Sequence, residues 1–326
     1  MIERAIFKDD EGGPRYIFFS GKGGVGKTTL AAATAVWLAE RGYRTLLVST
    51  DVQPSLSDIF QQEIPSRETP VAGVANLKAF SVDPEQSMNR HREKMLETLK
   101  VIDPDSIILK QMATDAQMDC GAAQASVFEL SYYLSSEEYE RTVFDTAPTG
   151  MHLEKIIGQV KYAMAMTAQI DRHRRLVQEG GAAESAGRIR ALEELKERDE
   201  RAIQTLRSER TSFILTLTPE AMPLAEVERN VPILEDIYGI PVRGLVINRV
   251  VPPEERNGRA FWRERWVMQQ RYIQITRDKF PQKEIDEVLL VPEVSGLGLL
   301  RKIGERLYGS TRRETSYAVA AYEDRL

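Results

Sequence analysis

One cysteine, Cys120, stands in 326 residues. A single thiol cannot close an intrachain disulfide or build a cysteine-rich zinc site or an iron–sulfur cluster. Any thiolate site for a metal or metalloid would have to be shared between chains. No apolar run of about 18 residues occurs, so no helix is expected to span a membrane. The first residues, Met1-Ile2-Glu3-Arg4, lead into an acidic stretch where a signal peptide would be basic and apolar, so the cytoplasm is the expected compartment. A strong charge of one sign is also missing. Lys+Arg 44 against Asp+Glu 49 leaves a net charge of -5, which argues against a general nucleic-acid binder. No internal repeat is visible. What remains is an ordinary globular balance, 42% hydrophobic and 29% charged, in a chain long enough for one large domain or two smaller ones.

Tyr16-Ile17-Phe18-Phe19 is a short apolar run that stops at Ser20-Gly21 and reads as a buried strand. Thr28 to Arg41 is alanine-rich and ends at Gly42, which suits a helix with a glycine cap. Thr45-Leu46-Leu47-Val48 is the next strand, with Asp51 just beyond it. Strand, helix and strand in so few residues form a βαβ unit, and hence a parallel sheet. Further strands are expected at Thr142-Val143-Phe144, Ser212 to Thr216, Gly244 to Asn248 and Val288 to Val291. A helix is expected from Ala225 to Tyr238, kinked or starting late because of Pro232. Two long stretches, 84 to about 140 and 151 to about 209, hold few strand signals and read as helical insertions. In the second, Ile189, Leu192, Leu195, Ala202 and Leu206 make a narrow apolar stripe among charges, the mark of a long, mostly exposed helix. The small-residue run Gly180 to Gly187 before it reads as a flexible link. Residues 310–326 read as a tail, either a solvated surface helix or a disordered end.

Gly21-Lys22-Gly23-Gly24-Val25-Gly26-Lys27-Thr28 has the spacing G-x-x-x-x-G-K-[ST] between a strand and a helix. Glycines let backbone N–H groups close around phosphate oxygens, and the helix N-terminus adds favourable partial charge. Lys27 is expected to reach the β- and γ-phosphates, and the Thr28 hydroxyl to ligate Mg²⁺. The candidate nucleotide set is thus Gly21, Lys22, Gly23, Gly24, Val25, Gly26, Lys27, Thr28 and the adjoining Thr29. The fold class follows: α/β, a mostly parallel sheet P-loop NTPase domain with an inserted α-helical subdomain, occupying 1–309. Asp51 and Asp145 each follow a strand, and parallel sheets place ligands beyond the carboxyl ends of their strands. Hydrolysis needs a metal near the β- and γ-phosphates and an aligned water. Asp145 suits the metal, directly or through water, and Asp51 suits the water. The plainer alternative for each is a turn or helix-cap aspartate.

Lys22 makes the loop resemble the deviant Walker A variant of the group that includes MinD, ParA, the nitrogenase iron protein and the ArsA ATPases. There the extra lysine reaches the partner's nucleotide across a dimer, so the resemblance implies a homodimer with ATP at its interface. Together with Ser49-Thr50-Asp51 through Ser55-Leu56-Ser57-Asp58, and with Phe144-Asp145-Thr146-Ala147-Pro148-Thr149-Gly150, the loop is similar to the ArsA family. That family includes the arsenite pump-driving ATPase and the ATPase that targets tail-anchored membrane proteins. The likeness continues in Glu209-Arg210-Thr211-Ser212-Phe213, Pro241 to Asn248 and Trp266-Val267-Met268-Gln269, and covers most of 15–308. It implies that Lys22, Lys27 and Asp51 serve hydrolysis, that Asn248 reads the adenine and that the loop with Pro292 and Glu293 flanks the base.

The chain also departs from the family pattern. The usual histidine after D-T-A-P-T-G is Met151 here, with His152 one place later, and the usual D-P-A-H is Asp51-Val52-Gln53-Pro54. The C-x-x-C with which the targeting enzymes share a zinc is replaced at the matching positions by Arg259 and Trp262, so no zinc is expected. The arsenite ATPases place a thiol near Cys120, so a homodimer would offer two soft thiolates to As(III) or Sb(III); the alternative is a small buried apolar residue. Seven of the ten methionines fall between residues 88 and 166, an adaptable surface for an apolar client helix or plain core packing. The expected partners are a second copy and either a membrane efflux protein, which would bring the chain to the membrane periphery, or a tail-anchored client. A ParA- or MinD-like positioning switch is the further alternative.

Overall fold

Phe18, in the middle of the first strand, stacks on Phe144 at 4.4 Å and on Phe213 at 4.5 Å between ring centroids. The three rings belong to neighbouring parallel strands in one register, so they line one face of the sheet. The opposite face of the same strand, Ile17 and Phe19, joins Leu47, Val143 and Ile214 in the main core. A continuous apolar run with both faces covered is what a central parallel strand requires.

The structure is a computed structural model describing residues 5–6, 13–50, 55–83, 133–134, 138–146, 170–171, 174–175, 183–290 and 295–309. The strands are β1 (Tyr16–Ser20), β2 (Thr45–Ser49), β3 (Thr69–Pro70), β4 (Leu77–Ser81), β5 (Arg141–Asp145), β6 (Thr211–Leu217), β7 (Val242–Val250) and β8 (Glu284–Leu289). They form an 8-stranded sheet in the order β3-β4-β2-β5-β1-β6-β7-β8. Every pairing is parallel except the short β3 against β4. The helices are α1 (Lys27–Glu40), α2 (Ser55–Phe60), α3 (Ala183–Arg207), α4 (Ala221–Pro232), α5 (Ala260–Lys279) and α6 (Leu297–Tyr308). The fold is α/β of the P-loop NTPase kind, as the motif spacing implied.

Helix α1 is apolar nearly all round because it is buried nearly all round, with Leu30 to Ala39 shielded from solvent. It packs on β1, β2 and β5, and on α6. At the α6 seam the Thr34 hydroxyl lies 2.7 Å from the Tyr308 hydroxyl, and Trp37 faces the Tyr308 ring at 6.0 Å. Gly304 lets the helices close: a Cβ there would sit 3.2 Å from Trp37 Cβ and 3.3 Å from the Ala33 carbonyl oxygen.

The chain divides into two compact units. One comprises Met1–Ser81, Glu138–Thr149 and Arg207–Leu326, and the other Val82–Glu137 and Gly150–Leu206. The sheet lies in the first. Most of both expected insertions and the 310–326 tail lie outside the described residues.

Several expected elements shift. The stretch from Gly180 to Gly187 is not a link throughout, because α3 begins at Ala183 and runs through Gly187. One glycine costs a helix about 1 kcal/mol, less than a long alanine-, glutamate- and leucine-rich run returns. On its stripe Ala202 and Leu206 are buried and Ile189 is half-buried; the side chains of Leu192 and Leu195 lie outside the described set. The helix expected from Ala225 starts at Ala221, and Pro232 does not delay it. Lacking an N–H, Pro232 ends the α-helical ladder, and the chain continues as a π turn, Ile233–Ile237, closed by Tyr238 N–H to the Ile233 carbonyl at 3.2 Å. The strand expected at Val288 to Val291 is β8, four residues earlier. Its Glu284, Asp286 and Glu287 give the first part of this edge strand too little apolar signal to be seen.

Candidate functional site

Sequence order delivers the glycine loop to the carboxyl end of β1, in the middle of the sheet. Gly21 follows the strand with φ +147, and a Cβ there would stand 2.2 Å from the Thr216 carbonyl oxygen on β6. Gly26, with φ +94, caps α1, and a Cβ there would stand 2.2 Å from Asn248 Nδ2. No side chain fits either place, so the loop's path is set by two neighbouring strand ends. Its close comes when Leu30 N–H bonds to the Gly26 carbonyl at 3.1 Å and the helix begins.

Lys27 is buried, 5% exposed, and its Nζ donates to the Lys22 carbonyl oxygen at 3.1 Å. The ammonium therefore arches back across the loop that precedes it. The Lys22 side chain points elsewhere, with its Nζ 4.0 Å from the sulfur of Met222, which is 69% exposed. Val25 is buried. Gly23 and Gly24 are exposed, and Thr28 and Thr29 lie half-exposed on the first turn of α1.

Asp145 ends β5 level with Phe19 on β1 and Ser49 on β2, and is fully buried. Ser49 Oγ donates to Asp145 Oδ2 at 2.9 Å. The backbone is pinned on both sides: Thr50 N–H donates to the Asp145 carbonyl at 2.9 Å, and the Thr146 hydroxyl donates to the Phe19 carbonyl at 2.9 Å. A buried carboxylate oriented by Ser49, beside the strand that feeds the loop, suits an ion bound between protein and phosphate. Magnesium is held that way, by one or two protein oxygens plus the phosphates themselves. Among the described residues no cluster of three or more His, Cys, Asp or Glu side chains forms a cage of its own.

Asn248, near the end of β7, is 8% exposed and donates through Nδ2 to the Val25 carbonyl at 2.8 Å. The structure thus brings together the loop from Gly21 to Thr29, Asp145 on the adjoining strand, and Asn248. Asp51, Pro292, Glu293 and Cys120 lie outside the described residues, as do Met151, His152 and the methionines from Met88 to Met166. Arg259 caps α5 and is exposed. Trp262 meets the ring of Phe261, itself 64% exposed, edge-on at 5.3 Å. Two separated motif segments meet where Arg243 pairs with Glu209 at 2.9 Å and donates to the Thr211 carbonyl at 3.1 Å. Thr216 and Ser49 stand in the sequence only as members of an expected strand and of a motif segment, with no local sign of the contacts they make here. Sequence reasoning also left Gln269 without a role.

A glycine loop between a central parallel strand and a buried helix, with a lysine arched over it and a buried aspartate on the next strand, defines a P-loop nucleotide-binding protein. Residues 14–309 match the model of the ArsA family, described as "Anion-transporting ATPase". The chain belongs to this family. It is 35% identical over 295 residues to a Halobacterium salinarum protein provisionally named an arsenical pump-driving ATPase, with 90% of this chain and 44% of that one covered. It is 30% identical over 262 residues to an "Arsenical pump-driving ATPase" of Escherichia coli, covering 79% of this chain and 43% of the relative. Against "ATPase GET3" of Rhodotorula glutinis it is 30% identical over 310 residues, covering 90% and 87%. The chain therefore spans less than half the length of these arsenical-pump relatives and most of the length of the third. Among the described residues no helix is long and apolar enough to cross a membrane.

Proposed function

We propose that the chain binds Mg·ATP in the loop from Gly21 to Thr29 and hydrolyses it as a homodimer, with the nucleotides at the interface. The observation that carries this reading is the construction of the loop. Two glycines occupy places that no side chain can share with Thr216 and Asn248, and a buried lysine arches over the turn they make. Loop N–H groups and Lys27 would hold the phosphates. The Thr28 hydroxyl and Asp145 would hold the magnesium ion, which when bound offsets charge on the β- and γ-phosphates. Ser49, by donating to Asp145, sets the direction of that carboxylate. Asp51, just past β2, would accept a hydrogen bond from the attacking water and align it. Lys22 would leave Met222 for the partner's nucleotide. Asn248, Pro292 and Glu293 would surround the base.

The output we favour is that of an arsenite or antimonite pump-driving ATPase, cytoplasmic and met at the membrane by an efflux partner. Its support is the naming of the arsenical-pump relatives, the absence of a zinc-binding C-x-x-C and the position of Cys120. Soft thiolates from two copies suit a trivalent metalloid. The test is ATP turnover with and without antimonite. Antimonite should raise the rate of the wild-type protein and leave Cys120→Ser unmoved; a wild-type rate that ignores antimonite would sink the idea. A second reading, a carrier for the transmembrane helix of tail-anchored proteins, is favoured by the methionine-rich stretch and by the near full-length match to ATPase GET3. Co-purification with a tail-anchored segment, shielded from aggregation, would decide for it. The positioning-switch alternative would need turnover that depends on DNA or lipid.

A further inference from the structure

Helix α5 carries Gln269, which is wholly buried although most of the helix is not; its other buried residues are Ile273 and Thr276. The Gln269 side chain grips β7. Nε2 donates to the Arg249 carbonyl at 3.1 Å, and Oε1 accepts from Val251 N–H at 2.7 Å. The two bonds flank Val250, where β7 resumes pairing with β8 after a register shift between Ile247 and Val250. Arg249 there has φ +58, a left-handed backbone that a residue with a side chain adopts only when its surroundings hold it. A strand group that a ladder partner would satisfy is satisfied here by a side-chain amide, and bulges of this kind re-aim the residue beside them.

The residue beside it is Asn248, whose Nδ2 donates to the Val25 carbonyl at 2.8 Å. Val25 C=O and Gly26 N–H belong to one planar trans peptide and point in opposite directions. Holding the carbonyl toward Asn248 therefore turns the Gly26 N–H away from it, as a fixed donor in the phosphate loop. Gly26 cannot swing toward Asn248 with a Cβ, because that atom would lie 2.2 Å from Nδ2.

We propose that Asn248 directly, and Gln269 through the Arg249 bulge, are positioning residues for the phosphate loop. This is a duty toward the phosphates, separate from any contact of Asn248 with the base. It rests on the nucleotide-binding reading above. It also gives a role to the glutamine of the Trp266-Val267-Met268-Gln269 segment: a surface helix helps set the orientation of a peptide in the nucleotide site.

The test compares dissociation constants for ATP and for inorganic tripolyphosphate, which has no base. Asn248→Ala, Asn248→Asp and Gln269→Ala should weaken both ligands by about tenfold, the loss of one hydrogen bond's worth of positioning. Gln274→Ala, an exposed neighbour on the same helix, should leave both constants unchanged. Variants that weaken ATP alone, or neither ligand, would overturn the proposal. So would a wild-type protein that holds ATP and not tripolyphosphate. If Gln269→Ala does not fold, Gln269→Glu keeps the acceptor for Val251, loses the donor to Arg249 and takes its place; if that also fails, the Asn248 pair decides. A wild-type protein that binds neither ligand would instead refute the nucleotide-binding reading itself.

Discussion

At Gly26 two constraints coincide, a left-handed backbone and the approach of Asn248. Gly26→Ala must therefore either strain the turn by about 1–3 kcal/mol or push the asparagine away. Nucleotide binding, read by fluorescence titration, should fall at least tenfold while the sheet remains folded. Lys27→Ala removes the arching ammonium and should abolish binding or turnover in the same assay. Asp51→Asn keeps its shape and loses its charge, so ATP should still bind while hydrolysis is lost. Normal turnover in that variant would refute its role. The loop was legible residue by residue because its chemistry is local: spacing alone names Gly21, Lys27 and Thr28. Ser49 and Gln269 were not legible, because nothing near them in the chain shows that one will face Asp145 and the other will clasp a strand bulge.

The elements hold because their apolar faces match. The Phe18, Phe144 and Phe213 stack lies across three strands, so Phe18→Ala opens a cavity at the centre of the sheet. It should cost about 3–5 kcal/mol, seen as a lower urea midpoint. At the α1–α6 seam a Cβ on Gly304 would already crowd Trp37 and the Ala33 carbonyl, at 3.2 and 3.3 Å. Gly304→Val would force Trp37 or the Ala33 backbone aside and should cost about 1–3 kcal/mol by the same measurement. Elements with a full apolar run, β1, β2, β6 and β7, were readable within a few residues. Those that were not depend on neighbours. β4 alternates weakly and is held by β2, and β8 is an acidic edge strand. α3 crosses Gly187 because propagation along 25 residues outweighs one poor position.

For the whole molecule, the proposed dimer predicts that size follows nucleotide. Light scattering should show a shift toward twice the chain mass when ATP is bound by a hydrolysis-deficient Asp51→Asn variant. Lys22→Ala should still bind ATP but turn it over more slowly, since in the proposed dimer its ammonium serves the partner's site. No change of mass with ATP would count against the dimer. The chain's α/β class was legible in the sequence alone, as were the spacing of its glycine loop and its lysine pair, because each depends on periodicity or on spacing within about ten residues. The tertiary structure decided which distant side chains converge there. Asn248 reaches Val25, Thr216 closes on Gly21, Ser49 orients Asp145 and Gln269 holds Arg249. These contacts join positions from 20 to 223 residues apart. Such pairings are set by strand order and register, which the packing of the sheet against its helices determines and which no local pattern records.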